Sequence, residues 1–398
     1  MENIVIVSAA RTAIGDFGGA IRDIAPTELG VVTAKAAIAR AGISADEVEQ
    51  VFYGNVLHGE HRDMYVSRTI ALGAGVGVGA PALTVNRLCG SGLQAIVSGI
   101  QAIAMRDADV VLAGGAESMS RAGYLMPALR WGQKMGDVSA VDMMTAVLTD
   151  PFGHGHMGVT AENVAAKFNV SREEQDAFAV ESHRRAAHAI ASGHFKDEIE
   201  PVVIPSRRGD VIFDTDEHVR PDASLADMAT LRAVFKKDGS VTAGNASGLN
   251  DGAASLILMS ERAAHDRGLT PMARVKSYAV AGVDPAFMGV GPVPAMQTAL
   301  KRAGMSVSDL DVIESNEAFA AQACSVSAQL GLAPERVNPN GGAIALGHPI
   351  GASGAIITTK LVYDMARRGA KIGAATMCIG GGQGIALILE NLSSRGTQ

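Results

Sequence analysis

The sequence has little of what a secreted scaffold, a zinc module or a polyanion-binding surface requires. Its 398 residues include only three cysteines, Cys89, Cys324 and Cys378. They are odd in number, widely spaced and free of any CxxC pair, which excludes a disulfide framework and a cysteine zinc knuckle. Reactivity is the better reason for at least two of them. A single tryptophan and 4% aromatic residues argue against an aromatic-rich β-sandwich. Positive charge is not in excess either: the formal net charge of −7 speaks against nucleic acid as a partner. The first residues carry no basic segment followed by an apolar run and a cleavage site. They run directly into residues 4–7, which predicts a first strand and a cytoplasmic protein with no membrane partner.

What is abundant is aliphatic: 47% hydrophobic residues, with 46 glycines and 17 methionines, favour helix-on-sheet packing and many tight turns. The length predicts two or three structural units. Strand-like runs at 4–7, 48–53, 110–112, 256–259, 312–313 and 385–389 alternate with helical stretches, so the fold class is α/β. Leu93, Ile96, Val97, Ile100 and Ile103 recur at helical spacing. Residues 90–92 therefore lead into a buried helix and place Cys89 at its N-terminus.

A shift of 262 positions lays Ala37, Ile38, Arg40, Ala41, Gly42 and Ser44 over Ala299, Leu300, Arg302, Ala303, Gly304 and Ser306. Both copies read helix, glycine stop, polar turn, strand. A second echo pairs Val85 and Asn86 with Val337 and Asn338, each opening a glycine-rich turn. The pattern predicts two duplicated layered α/β/α halves, each giving one glycine-rich elbow to a shared site; chance similarity of short segments is the competing reading. The expected units are 1–119, completed by about 249–270, then an inserted loop domain at 120–248, and 271–398. The insertion is denser in charge and turns, as befits a cover over a site.

Three blocks carry chemistry. Asn86-Arg87-Leu88-Cys89-Gly90-Ser91-Gly92 offers a cysteine to unpaired N–H groups at a positive dipole end, which favours thiolate and can receive an oxyanion. A small buried cysteine in a tight turn is the bland alternative. Residues 338–354 set His348 among glycines that let backbone approach a ligand, although His348 alone equally fits a satisfied core histidine. Cys378-Ile379-Gly380-Gly381-Gly382 follows a strand-like run and suggests a second thiol facing the same cavity.

These blocks, with Asn316-Glu317-Ala318-Phe319-Ala320 and Gly114-Gly115-Ala116-Glu117-Ser118-Met119, resemble the motifs of the thiolase family, in the right order over nearly the whole chain. Within it the chain most resembles acetyl-CoA acetyltransferases and the β-ketothiolases that supply polyhydroxyalkanoate synthesis. The resemblance implies a thiolase-like fold and a ping-pong Claisen condensation of two acyl-CoA, or its reverse. Cys89 would carry the acyl group with help from His348, and Cys378 would move the α-proton. His348 and a water held by Asn316 would meet the enolate, while backbone N–H groups of Cys89 and Gly380 would meet the tetrahedral oxyanion.

For coenzyme A the resemblance implies His156, Met157, Ala243, Ser247, Ala318 and Phe319 along the pantetheine, with Arg220 and Ser224 towards the adenosine. Arg220 equally fits a solvated surface arginine. Leu88 and Met288 would shape the acyl pocket with Met157 and Phe319. His154 and His156 form an H-x-H pair without a carboxylate or thiol at ligand spacing, so no metal is expected. Nor is a cofactor, since coenzyme A thioesters are substrates. The expected partners are acyl-CoA and CoA, with a homo-oligomer, a dimer or dimer of dimers, formed partly through residues 124–143. Met64 stands where some relatives carry a polar residue near the site, which leaves two-carbon specificity open. A degradative thiolase of broad chain length and a non-catalytic CoA or acyl-binding module are the alternatives; the latter predicts a broken catalytic set, and none is broken.

Overall fold

Strands buried along their whole length, such as Ile4–Arg11 and Asn250–Ser260, need helices packed over them, and they have them in the computed structural model, which describes residues 3–393. Ten strands form one sheet: β1 Ile4–Arg11, β2 Gly15–Asp16, β3 Gln50–Gly54, β4 Ala82–Val85, β5 Val110–Ser118, β6 Asn250–Ser260, β7 Ala273–Gly282, β8 Val312–Ser315, β9 Ile372–Ile379 and β10 Gln383–Asn391. Their order is β8-β9-β10-β7-β1-β6-β5-β3-β4, with β2 added beside β6.

The order is a repeat. β3 runs parallel to β5, which pairs antiparallel with β6, which pairs antiparallel with β1. In the other half β8 runs parallel to β9, β9 antiparallel to β10 and β10 antiparallel to β7. The halves join through Val5 opposite Arg274 and Ile6 opposite Ala273. Even the weaker echo has a structural counterpart: β4 ends at Val85 beside β3, and Val337 bridges Ile313 of β8 in the same parallel sense.

The helix pattern behind the 262-residue echo is local chemistry. Helices Pro26–Ala41 and Pro292–Ala303 start with proline, whose fixed φ suits the first turn, and stop at Gly42 (φ 72°) and Gly304 (φ 68°) in the left-handed conformation that glycine adopts freely. A second pair, Ser91–Ala104 and Ser353–Arg368, packs together between the halves. A Cβ on Gly354 would lie 2.2 Å from the Leu93 nitrogen, and one on Gly92 2.7 Å from the Ala355 nitrogen. Glycine at both places lets two helix backbones meet at the ends nearest Cys89 and His348.

β7 and β4 went unrecognised in the sequence, and β5 extends beyond its apolar run through Gly114 and Gly115. A Cβ on Gly115 would lie 2.4 Å from the Gly351 carbonyl oxygen, so the loop after His348 rests directly on the strand. Between β5 and β6 lie helices Met157–Phe168 and Arg172–Ala191 and the short hairpin Val202–Ile204/Val211–Phe213. None of the described helices is long and apolar enough to cross a membrane.

Candidate active site

Cys89 is aimed by a strained turn. Leu88 takes φ 46°, rare for a branched side chain, and the turn is tied by Asn86 Oδ1 accepting from the Leu88 N–H at 2.9 Å. Ser91 Oγ accepts from the Arg87 N–H at 2.8 Å and donates to the Leu88 carbonyl at 2.6 Å. The helix then begins at once, with Gly90 as its N-cap. The Cys89 sulfur lies within reach of its own N–H and that of Gly380.

His348 follows Gly347, whose φ of 109° suits only glycine and whose place a Cβ could not share with Asn250, 2.5 Å away. Asn250 Oδ1 accepts the His348 N–H at 2.8 Å. The imidazole Nδ1 meets Ser353 Oγ at 2.6 Å, and Nε2 lies 3.4 Å from Asn316 Nδ2. Burial pushes the imidazole down to about 4, so it is neutral at physiological pH. Cys378 is the penultimate residue of β9, buried, and its thiol is pushed up by burial and then by the neighbouring Cys89.

The two thiols, His348 and Gly380 line one cavity of about 360 Å³ together with His156, Met157, Ala243, Ser247, Met288, Ala318 and Phe319. Four expected residues lie outside its wall. Asn316 stands behind His348, its N–H donating to Thr376 at 2.9 Å and its Oδ1 buried without a protein partner. Leu88 sits beside the wall without lining it; its Cδ1 would lie 3.2 Å from a Cβ on Gly380. Arg220 and Ser224 line a second cavity of about 350 Å³, which shares Ala243 and Ala246 with the first. Met64, 67% exposed, lines neither.

Burial opposes the helix N-terminus at Cys89. The helix N-terminus was to favour a Cys89 thiolate, and the N–H groups of Gly380 and Cys89 do act in that direction. Burial outweighs them, with buried Glu117 adding to the upward push, so the resting group is a thiol in need of a base. Burial drives Glu117 itself up to about 8. Against that push four donors converge on its two oxygens, from Asn55 Nδ2, Val56, Leu57 and Gly351 at 3.0 to 3.2 Å, each favouring the charged form and together clasping loops of both halves.

Sequence reasoning missed Phe235. Its ring stacks on His156 at 4.7 Å and meets Phe319 edge-on at 6.2 Å, and Gly158 has no side chain because the Phe235 ring would lie 2.2 Å from its Cβ. His156 is pushed down by burial and accepts the Gly158 N–H at 3.1 Å, capping the helix that follows. No group of three or more His, Cys, Asp or Glu able to hold a metal occurs among the described residues.

The thiolase N-terminal domain family matches residues 4–262, and the thiolase C-terminal domain family residues 269–391. The chain belongs to the thiolase family. It is 60% identical over 392 residues to the β-ketothiolase BktB of Cupriavidus necator, covering 98% of this chain and 100% of that protein. With an acetyl-CoA acetyltransferase of Thiocystis violacea it shares 52% over 396 residues, 98% of this chain and 100% of the other. Among solved structures, the acetyl-CoA acetyltransferase of Bacillus anthracis superposes with a TM-score of 0.96 at 46% identity, over 98% of this chain and 99% of that one. A human mitochondrial 3-ketoacyl-CoA thiolase in complex with CoA does so with a TM-score of 0.95 at 46% identity, over 98% of each chain. This thiolase is an acyltransferase enzyme.

Proposed function

We propose that this thiolase works as an acetyl-CoA C-acetyltransferase or β-ketothiolase, joining two acyl-CoA into 3-ketoacyl-CoA and CoA, or running the reverse thiolysis. The supporting observation is that two thiols and a neutral imidazole line one largely apolar cavity, with the Gly380 N–H at the Cys89 sulfur. His348 Nε2 takes the Cys89 proton; the thiolate attacks the thioester carbonyl and expels CoA as a thiolate. Cys378 protonates the departing sulfur and is left as thiolate, while the imidazolium keeps the Cys89 proton.

A thiolate at Cys89 would push Cys378 up, whereas the acylated Cys89 carries no charge to oppose the second thiolate, which the imidazolium faces across the cavity. Cys378 then removes the α-proton of a second acyl-CoA. The enolate oxygen faces the imidazolium Nε2–H and a water positioned by Asn316. Its carbon attacks the Cys89 thioester, the oxyanion resting on the N–H groups of Cys89 and Gly380. Collapse releases 3-ketoacyl-CoA, and His348 returns the proton to Cys89.

In this reading the CoA thioesters are substrates and no cofactor is used. Pantetheine passes His156, Met157, Ala243, Ser247, Ala318 and Phe319, and the adenosine end reaches the adjoining cavity at Arg220 and Ser224. Residues 120–248 form the cover between halves at 1–119 with 249–270 and at 271–398. The enzyme is cytoplasmic and self-associates through the 124–143 segment, where Tyr124, Trp131 and Met135 are exposed. The apolar cavity also supports a second reading, a degradative thiolase of broad chain length. Mass spectrometry after incubation with acetyl-CoA tests the core proposal: an acetyl adduct on Cys89 is expected, and an adduct elsewhere, or none, overturns it. Turnover with acetyl-, propionyl- and longer acyl-CoA separates the two readings.

A further inference from the structure

We infer that Ser353 is a positioning residue which fixes the tautomer of His348 and so makes Nε2 the nitrogen that accepts the Cys89 proton. The inference rests on the thioester chemistry proposed above and gives a role to Ser353, a residue of the 338–354 block to which that chemistry assigns none. Ser353 opens the helix Ser353–Arg368 and is buried. Its Oγ lies 2.9 Å from the Pro349 carbonyl oxygen and 2.6 Å from His348 Nδ1.

A carbonyl oxygen has no proton to give, so the hydroxyl proton occupies the contact with Pro349. The same Oγ then has only lone pairs for the imidazole, and Nδ1 must carry the ring's single proton. In a neutral ring Nε2 is left with a free lone pair; the Cys89 S–H bond breaks and an Nε2–H bond forms, with no proton leaving through Nδ1. The opposite tautomer would set an N–H towards the thiol and stop the transfer. The fold holds the arrangement, because His348, Pro349 and Ser353 belong to one turn whose Ser353 N–H also donates to the Pro349 carbonyl at 2.9 Å. The titratable groups sharing these walls are Cys89, Cys378 and His156 in the cavity, and Glu314 and Lys360, paired at 2.8 Å, in the small void that Ser353 and Asn316 line from behind.

The experiment compares Ser353→Ala and Ser353→Thr with the wild type. In the alanine variant kcat should fall about ten- to a hundredfold, by analogy with the loss of a partner that orients a metal-bound histidine, with KM nearly constant. Alkylation of Cys89 by iodoacetamide should need higher pH, and threonine, which restores an acceptor oxygen, should recover most of both. An alanine variant with wild-type kcat and alkylation profile, while acetyl-Cys89 still forms in the wild type, overturns the inference and leaves the thioester chemistry standing. NMR of wild-type enzyme labelled with ¹⁵N-histidine, with His348 assigned by its loss in His348→Asn, needs no stable serine variant. A proton on Nδ1 supports the inference, and one on Nε2 at rest overturns it.

Discussion

Gly354→Ala tests whether the crossing of two helix ends sets the catalytic distances. The added Cβ would stand 2.2 Å from the Leu93 nitrogen, 2.7 Å from its Cβ and 2.9 Å from its Cα, where ordinary contact begins at 3.4 Å. Helices Ser91–Ala104 and Ser353–Arg368 must therefore part by about 1.2 Å, because main-chain atoms cannot swing aside as a side-chain tip can. Cys89 lies just before the first helix and His348 just before the second, so the shift passes to the reacting groups. A misplacement of about 1 Å costs roughly a hundredfold in rate, or about 2.7 kcal/mol in the barrier. Overpacking should also lower stability by about 1–3 kcal/mol. Gly92→Ala, whose nearest atom is the Ala355 nitrogen at 2.7 Å, should lose about tenfold. Gly79→Ala, with nothing within 4 Å, is the control. The assay is thiolysis of a 3-ketoacyl-CoA followed by absorbance, with thermal melting alongside. If Gly354→Ala keeps activity within threefold of wild type, or Gly92→Ala is hit harder, the geometric reasoning is wrong.

Cys378→Ser should still load acetyl on Cys89, seen by mass spectrometry, while turnover falls by about 10²–10⁴, the usual worth of a placed acid–base group; full turnover would remove the second thiol from the mechanism. His348 and His183 are both held down to about 4 in the folded chain by burial, against 6.5 for an ordinary histidine. Between those values the unfolded chain binds more protons, so stability should fall as pH drops from about 6.5 to 4, by up to about 3 kcal/mol per histidine, and be insensitive to them above that window. In urea titrations His348→Asn should flatten that slope by about one proton, and an unchanged slope contradicts the neutral buried ring. Arg11, fully buried, binds Glu198 at 2.7 Å and Asp216 at 2.7 and 2.9 Å. Arg11→Met strands both carboxylates and should cost about 3–5 kcal/mol in denaturant unfolding; a loss below 1 kcal/mol would show that the pair is not held charged.

Most of the scaffold was legible because it is written in local patterns. Helical spacing from Leu93 to Ile103, glycine stops at Gly42 and Gly304, and apolar runs in six of the strands each depend on neighbours in sequence. β7 escaped because Arg274, Lys276 and Tyr278 interrupt its apolar pattern, and β4 because it is short and lies only partly buried beside β3. Among the site residues, those on glycine-rich turns were visible, since such turns mark where backbone must come close.

The chain alone determined which groups are present: two cysteines, a histidine and an asparagine, beside glycine-rich segments of a fold whose helix pattern repeats at a 262-residue offset. Only the folded molecule decided what state they hold and which neighbours complete them. Burial outweighed the N–H groups that favour a Cys89 thiolate and kept His348 neutral, Ser353 took up the far side of the imidazole, and Phe235 closed over His156. Protonation and packing depend on how much water the surroundings exclude, a property of atoms brought together from distant parts of the chain.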